Sequence, residues 1–209
     1  MEEIKEGSTR ILLADDHSMI RRGLKIFLQT TMGFPVVGEV PSCSELLLEL
    51  SRKNYTHLIL DIILKDGNSL EVLPNLRRLF PNLKIMVFSM QPPEIYAPAV
   101  RQYQINHYLH KTASEEDMLV ELGKFIKDDS IPSNTTKNAS LVNPFSSLAP
   151  RELEILHYLL KGFGTKQIGE TLNLRMSTVS TVKNRIFEKT QAKNLKELIE
   201  LATVYNLNY

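Results

Sequence analysis

Cysteine is nearly absent from this 209-residue chain: Cys43 stands alone. One thiol leaves no internal disulfide framework and no cysteine-rich zinc site, which fits a reducing compartment. Long apolar runs are missing too. None approaches the roughly 18 residues of a membrane span, and the opening Met1-Glu2-Glu3-Ile4-Lys5-Glu6 is acidic with no apolar core. A soluble, cytoplasmic protein with no membrane association is therefore expected. No internal repeat is visible. Net charge is also small, at +1, but it hides a division. Residues 1 to 127 carry 15 Lys/Arg against 16 Asp/Glu, whereas residues 148 to 209 carry 9 against 6. The basic C-terminal part hints at a polyanionic partner.

What is present is 43% hydrophobic residues in an alternating beat. Arg10-Ile11-Leu12-Leu13-Ala14, Val36 to Val40, His57-Leu58-Ile59-Leu60, Leu83 to Phe88 and Ile105 to His110 read as buried strands. Amphipathic helices follow them. Ser18 is expected to cap the first, Ser42 the second, Ser69 to open the third, and Ser114 with Asp117 to cap the last. The fourth, from Gln91-Pro92-Pro93 to about Gln102, is poorly patterned and interrupted at Pro98. Five such pairs imply an α/β doubly wound, five-stranded parallel sheet over residues 9–127. Residues 128–147 are dense in Ser, Asn, Thr, Asp and Pro and read as a linker. Residues 148–209 contain helical patterns only, near 150–161, 165–172, 176–190 and 193–205, and so form a small all-α domain.

In an open parallel sheet, chemistry collects at the carboxyl ends of the strands. Those ends carry Asp15, Asp16, Asp61, Ser89 and Lys111. Read singly, Asp61 could be a helix cap, Ser89 a turn residue and Tyr108 a half-buried core aromatic. Together they form a constellation. Three carboxylates in one pocket repel each other and favour a divalent cation, and all-oxygen ligation favours Mg²⁺. One carboxylate can then attack a phosphoryl group while Lys111 and Ser89 hold its oxygens. Asp61 is the most central acid.

These residues resemble the receiver domains of two-component response regulators. The resemblance implies that Asp61 is the phosphoacceptor, that Asp15, Asp16, Asp61 and the backbone carbonyl of Ile63 hold the metal, and that Ser89 and Tyr108 form a switch pair. On phosphorylation Ser89 would turn inward and Tyr108 would fill the vacated space. The sequence departs from the family at Lys65, where Pro is usual, at an early Gly67, and at Asn106-His107. A haloacid-dehalogenase-like phosphatase also uses a strand-end Asp, but it needs a second acid where this chain has Ile63. A receiver that signals without phosphate is the remaining alternative.

In the C-terminal part, Lys166 to Leu174, a turn at Arg175-Met176-Ser177, and Thr178 to Lys189 have the layout of a helix-turn-helix. Val179, Val182 and Ile186 make an inner stripe, while Ser180, Thr181 and Asn184 point outward together. Short polar side chains there suit base edges; Lys166, Lys183, Arg185 and Lys189 suit phosphates. The motif from Leu148-Ala149-Pro150-Arg151-Glu152 to Lys189 resembles the LuxR-type effector domain, and the whole chain a response regulator of the NarL/FixJ type. That resemblance implies a transcription regulator rather than an enzyme. Its expected partners are a sensor histidine kinase, double-stranded DNA with an inverted repeat, a second copy on activation, and RNA polymerase. Leu195, Leu198, Ile199 and Ala202 on the last helix would pair the two copies.

Overall fold

The computed structural model describes residues 9–34, 36–128, 144–205 and 207. The acidic opening residues and 129–143 of the expected linker lie outside them. The described chain falls into two compact units, Met1–Met90 with Tyr103–Asn134, and Gln91–Gln102 with Thr135–Tyr209.

In the first unit, β1 (Arg10–Ala14), β2 (Val36–Val40), β3 (His57–Leu60), β6 (Lys84–Ser89) and β7 (His107–His110) form a parallel sheet in the order β2-β1-β3-β6-β7. Helices α1 (Ser18–Thr30), α2 (Cys43–Arg52), α3 (Leu73–Leu79) and α5 (Glu115–Lys127) belong to the same unit. Both sheet faces are covered, so inner strands are buried at successive residues: Ile11, Leu12, Leu58 and Leu60 are all 0% exposed. Ile11, Leu13, Ile59 and Phe88 join Leu24 and Leu28 of α1 and Leu122 and Phe125 of α5 in one core. Full burial of each such side chain contributes about 1.5–3 kcal/mol. This strand order reverses direction between β1 and β3, the place where open α/β sheets form a crevice.

Local chemistry modifies the expected boundaries. His17, not Ser18, is the N-cap of α1, and its side chain makes no capping bond. Ser42 and Ser114 do cap α2 and α5, accepting from the amides of Glu45 and Asp117. The segment after β3 folds into a small antiparallel hairpin, β4 (Ile63–Leu64) with β5 (Gly67–Asn68). Gly67 has φ +145°, a backbone that a side chain would strain. Asn68 then caps a 3₁₀ turn at Ser69–Glu71, and α3 begins only at Leu73, which places Pro74 in its first turn.

The second unit contains α4 (Pro93–Arg101), a 3₁₀ turn at Pro144–Ser147, α6 (Pro150–Leu160), α7 (Thr165–Thr171), α8 (Met176–Thr190) and α9 (Leu195–Val204). Within it, α4 buries Ile95, Tyr96, Ala99 and Val100, and the 3₁₀ turn, expected as linker, buries Phe145. Ala149 has no hydroxyl to cap α6, but Glu152 accepts the Ala149 amide at 2.7 Å. Between α7 and α8 a Cβ on Gly169 would stand 2.8 Å from the Leu174 carbonyl oxygen, so the tight turn needs glycine there. No helix among the described residues is long and apolar enough to cross a membrane.

Candidate functional site

Register explains how the acids meet. Ala14 pairs with Leu60 across β1 and β3, so the next residues, Asp15 and Asp61, leave the sheet side by side, with the Asp61 amide donating to the Ala14 carbonyl at 2.8 Å. On the other side β6 delivers Ser89, whose carbonyl accepts the Lys111 amide at 2.9 Å. The Ser69 hydroxyl, 0% exposed, donates to the Asp61 carbonyl at 2.7 Å and fixes the backbone below the acid.

Lys111 Nζ lies 2.5 Å from Asp61 Oδ2 and 2.6 Å from Asp15 Oδ2, with its side chain 2% exposed. Ser89 Oγ donates to Asp61 Oδ1 at 2.5 Å. Burial raises the pKa of Asp61 above its ordinary value, the bonds from Lys111 and Ser89 oppose that rise, and the nearby Asp15 charge adds to it. The Ser89 hydroxyl therefore already faces Asp61 in this structure. Tyr108 is half-buried in β7, and Ile63 opens the hairpin next to the acid.

Two further residues belong to this crevice. His17 Nδ1 stands 2.7 Å from Asp16 Oδ1 and 3.4 Å from Asp15 Oδ1, and Arg21 Nη1 donates to the Asp15 carbonyl at 2.5 Å. Their position at the start of α1, directly after the acidic pair, was a legible signal. One ligand atom from each of Asp15, Asp16, His17 and Asp61 lies within 4.8 Å of all the others. The carboxylate oxygens of this set suit a hard divalent cation such as Mg²⁺. Beside the site, Asp66 accepts from the amides of Cys43 (2.6 Å) and Ser44 (3.0 Å), so the hairpin also caps α2. Burial works to raise the Asp66 pKa, but the amides of Ser44 and Cys43 outweigh it and bring it down to about 2.

The second unit has a separate exposed surface. On α8, Val179, Val182 and Ile186 are buried, and Ser180, Thr181, Asn184 and Arg185 are exposed on the outer side. Lys183 Nζ sits 5.5 Å from the Phe187 ring centre, and Lys166 is exposed on α7. Lys189 is engaged within the unit, where it bonds the buried Glu152 at 2.6 Å and the Ser147 carbonyl at 3.3 Å. Of the stripe expected to pair two copies, Leu198 and Ala202 are 0% exposed and Leu195 and Ile199 are half-buried.

Comparison with known proteins bears on both units. The family described as response regulator receiver domain matches residues 11–122, and bacterial regulatory proteins of the luxR family match residues 146–202. The chain is 29% identical over 208 residues to the oxygen regulatory protein NreC of Staphylococcus carnosus (strain TM300), covering 92% of this chain and 96% of that protein. It is 28% identical to the protein of the same name from Staphylococcus haemolyticus (strain JCSC1435), with the same coverage. Among solved structures, RcsB from Salmonella enterica serovar Typhimurium bound to promoter rprA in the presence of the phosphomimetic BeF₃⁻ aligns with a TM-score of 0.62. That likeness, at 23% identity over 94% of this chain and 99% of RcsB, is one of fold.

Proposed function

Because this chain belongs to the response regulator receiver family and continues into a luxR-family domain, we propose that Asp61 accepts a phosphoryl group from a sensor histidine kinase and thereby switches DNA binding. The chain is a DNA-binding response regulator of transcription, not a classical enzyme. The observation that carries the proposal is Asp61 itself: a carboxylate 5% exposed at a strand end, held between the Lys111 ammonium and the Ser89 hydroxyl.

In the transfer, an Asp61 carboxylate oxygen attacks phosphorus, the phosphorus–nitrogen bond to the kinase histidine breaks, and that nitrogen keeps the electron pair. Lys111 and Ser89 then pass from the carboxylate to the new phosphoryl oxygens, which spread the added charge over one ammonium and one hydroxyl. Asp15, Asp16, Asp61 and the Ile63 carbonyl would hold Mg²⁺, which supplies positive charge against the phosphoryl oxygens. The chain's own contribution to self-catalysed phosphorylation and dephosphorylation is this same set. As Ser89 shifts its bond, the half-buried Tyr108 repacks in β7 and alters the adjacent surface.

The output is assigned to the face of α8. Ser180, Thr181 and Asn184 read bases; Lys166, Lys183 and Arg185 meet phosphates; Lys189, tied to Glu152, sets the start of α6 against α8. Two copies bind an inverted repeat, with Leu195 and Ile199 the part of α9 left for pairing and RNA polymerase as the downstream partner. The reading divides the chain into a receiver at 9–127, a linker at 128–147 and a DNA-binding domain at 148–209, in the cytoplasm.

The test is intact-protein mass after incubation with Mg²⁺ and acetyl phosphate, for wild type and Asp61→Asn, with DNA binding measured alongside. One phosphoryl adduct in wild type alone, with tighter DNA binding, is the expected result. A wild-type chain that takes no phosphoryl group from any donor refutes the proposal.

A further inference from the structure

We infer that His17 is a nitrogen ligand of the acidic pocket, bound through Nδ1, and that the pocket therefore holds divalent first-row transition ions more tightly than its carboxylates would alone. The inference rests on the reading of Asp15, Asp16 and Asp61 as a metal site.

Spacing is the first argument. Adjacent ligands on an octahedral ion with bonds of about 2.0–2.1 Å stand about 3 Å apart, and opposite ligands about 4.2 Å. His17 Nδ1 is 2.7 Å from Asp16 Oδ1 and 3.4 Å from Asp15 Oδ1, on either side of the adjacent-ligand spacing. The whole four-residue set stays within 4.8 Å, so a small closing movement brings every donor to one ion.

Anchoring is the second. The His17 amide donates to Asp15 Oδ1 at 2.8 Å and its carbonyl accepts the Arg21 amide at 3.0 Å, which fixes the backbone at the start of α1. The ring itself has room to adjust, since the side chain is 61% exposed. Coordination would therefore disturb no core packing. Oxygen ligands suit Mg²⁺, whereas imidazole suits iron, nickel, copper and zinc, and affinities rise from Mn²⁺ towards Cu²⁺. An imidazole that only bonded Asp16 would orient that acid and leave the ion preference unchanged.

The test uses the untagged full-length chain at one fixed pH, with Mn²⁺ as a paramagnetic probe and Ni²⁺ and Mg²⁺ measured by calorimetry. Pulsed electron paramagnetic resonance of bound Mn²⁺ is expected to detect one directly bonded nitrogen in wild type and none in His17→Gln. His17→Gln should bind Ni²⁺ at least about tenfold more weakly while its Mg²⁺ affinity changes less than about twofold. Mn²⁺ bound without nitrogen coupling, or Ni²⁺ held equally by both chains, overturns the role of His17 and leaves the carboxylate site intact. Mn²⁺ binding that survives Asp15→Asn unchanged overturns the metal site and this inference with it.

Discussion

Replacing Lys111 by Met tests the electrostatics of the crevice. The substitution keeps an unbranched chain of similar length but removes the ammonium that Asp15 and Asp61 share at 2.6 and 2.5 Å. Breaking a buried ion pair from one side costs about 3–5 kcal/mol, because the remaining charge is left without compensation. Two carboxylates remain here, so the upper part of that range is expected, a fall of roughly 10–20 °C in the melting temperature of a domain this size. The pH dependence has a definite sign. Burial already raises the Asp61 pKa despite the Lys111 bond, so without that bond it rises further. A carboxyl whose folded pKa exceeds its unfolded value of 3.8 stabilises fully below that value and loses the contribution as pH climbs through the folded pKa. The deficit of Lys111→Met should therefore widen as pH rises from below 3.8 towards neutral in urea unfolding followed by circular dichroism. Adding Asp61→Asn should return about 2 kcal/mol, since it removes one of the stranded charges. A deficit below about 1 kcal/mol at the higher pH, or one that widens towards acid, refutes the reasoning.

Other consequences can be checked separately. Asp66→Ala removes the acceptor of two α2 amides and should cost about 1 kcal/mol at neutral pH. Because the Asp66 pKa is depressed to about 2, its contribution exists above 3.8 and disappears as pH falls towards 2, so the variant and wild type should converge there in acid unfolding. Burial, with Asp66 beside it, pushes the Cys43 thiol up to about 12, so iodoacetamide should label the native chain slowly and Asp66→Ala faster, as read by mass. Burial holds His57 down to about 4 against an ordinary 6.5, so its contribution is present above 6.5 and fades as pH falls towards 4; His57→Phe should flatten that part of the stability curve. Lys189→Ala should destabilise the second unit by about 1–3 kcal/mol by leaving the buried Glu152 short of a donor. Arg185→Ala should leave stability unchanged and reduce the salt slope of DNA binding by about one, as titrations at several salt concentrations would report.

The strands, their alternation with helices and the acids at their ends were legible in the order of residues alone. Runs such as Ile11 to Ala14 and Leu58 to Leu60 are apolar at every position, a pattern that suits a strand buried on both faces, and each ends in Asp15 or Asp61. The inner stripe Val179, Val182 and Ile186 was legible for the same reason, since helical period alone sorts a helix into faces. What these patterns meet depends on packing between distant segments. Periodicity marks Leu198 and Ala202 as apolar but does not say that both become fully buried, as they are here. Lys189 and Glu152, 37 residues apart, pair because α6 and α8 pack, and no local rule links them. Gln91–Gln102 joins the second unit although it lies between two strands of the first. Local pattern reflects which side of an element faces away from water, whereas the identity of the neighbour depends on contacts between distant segments that form only when the chain has packed.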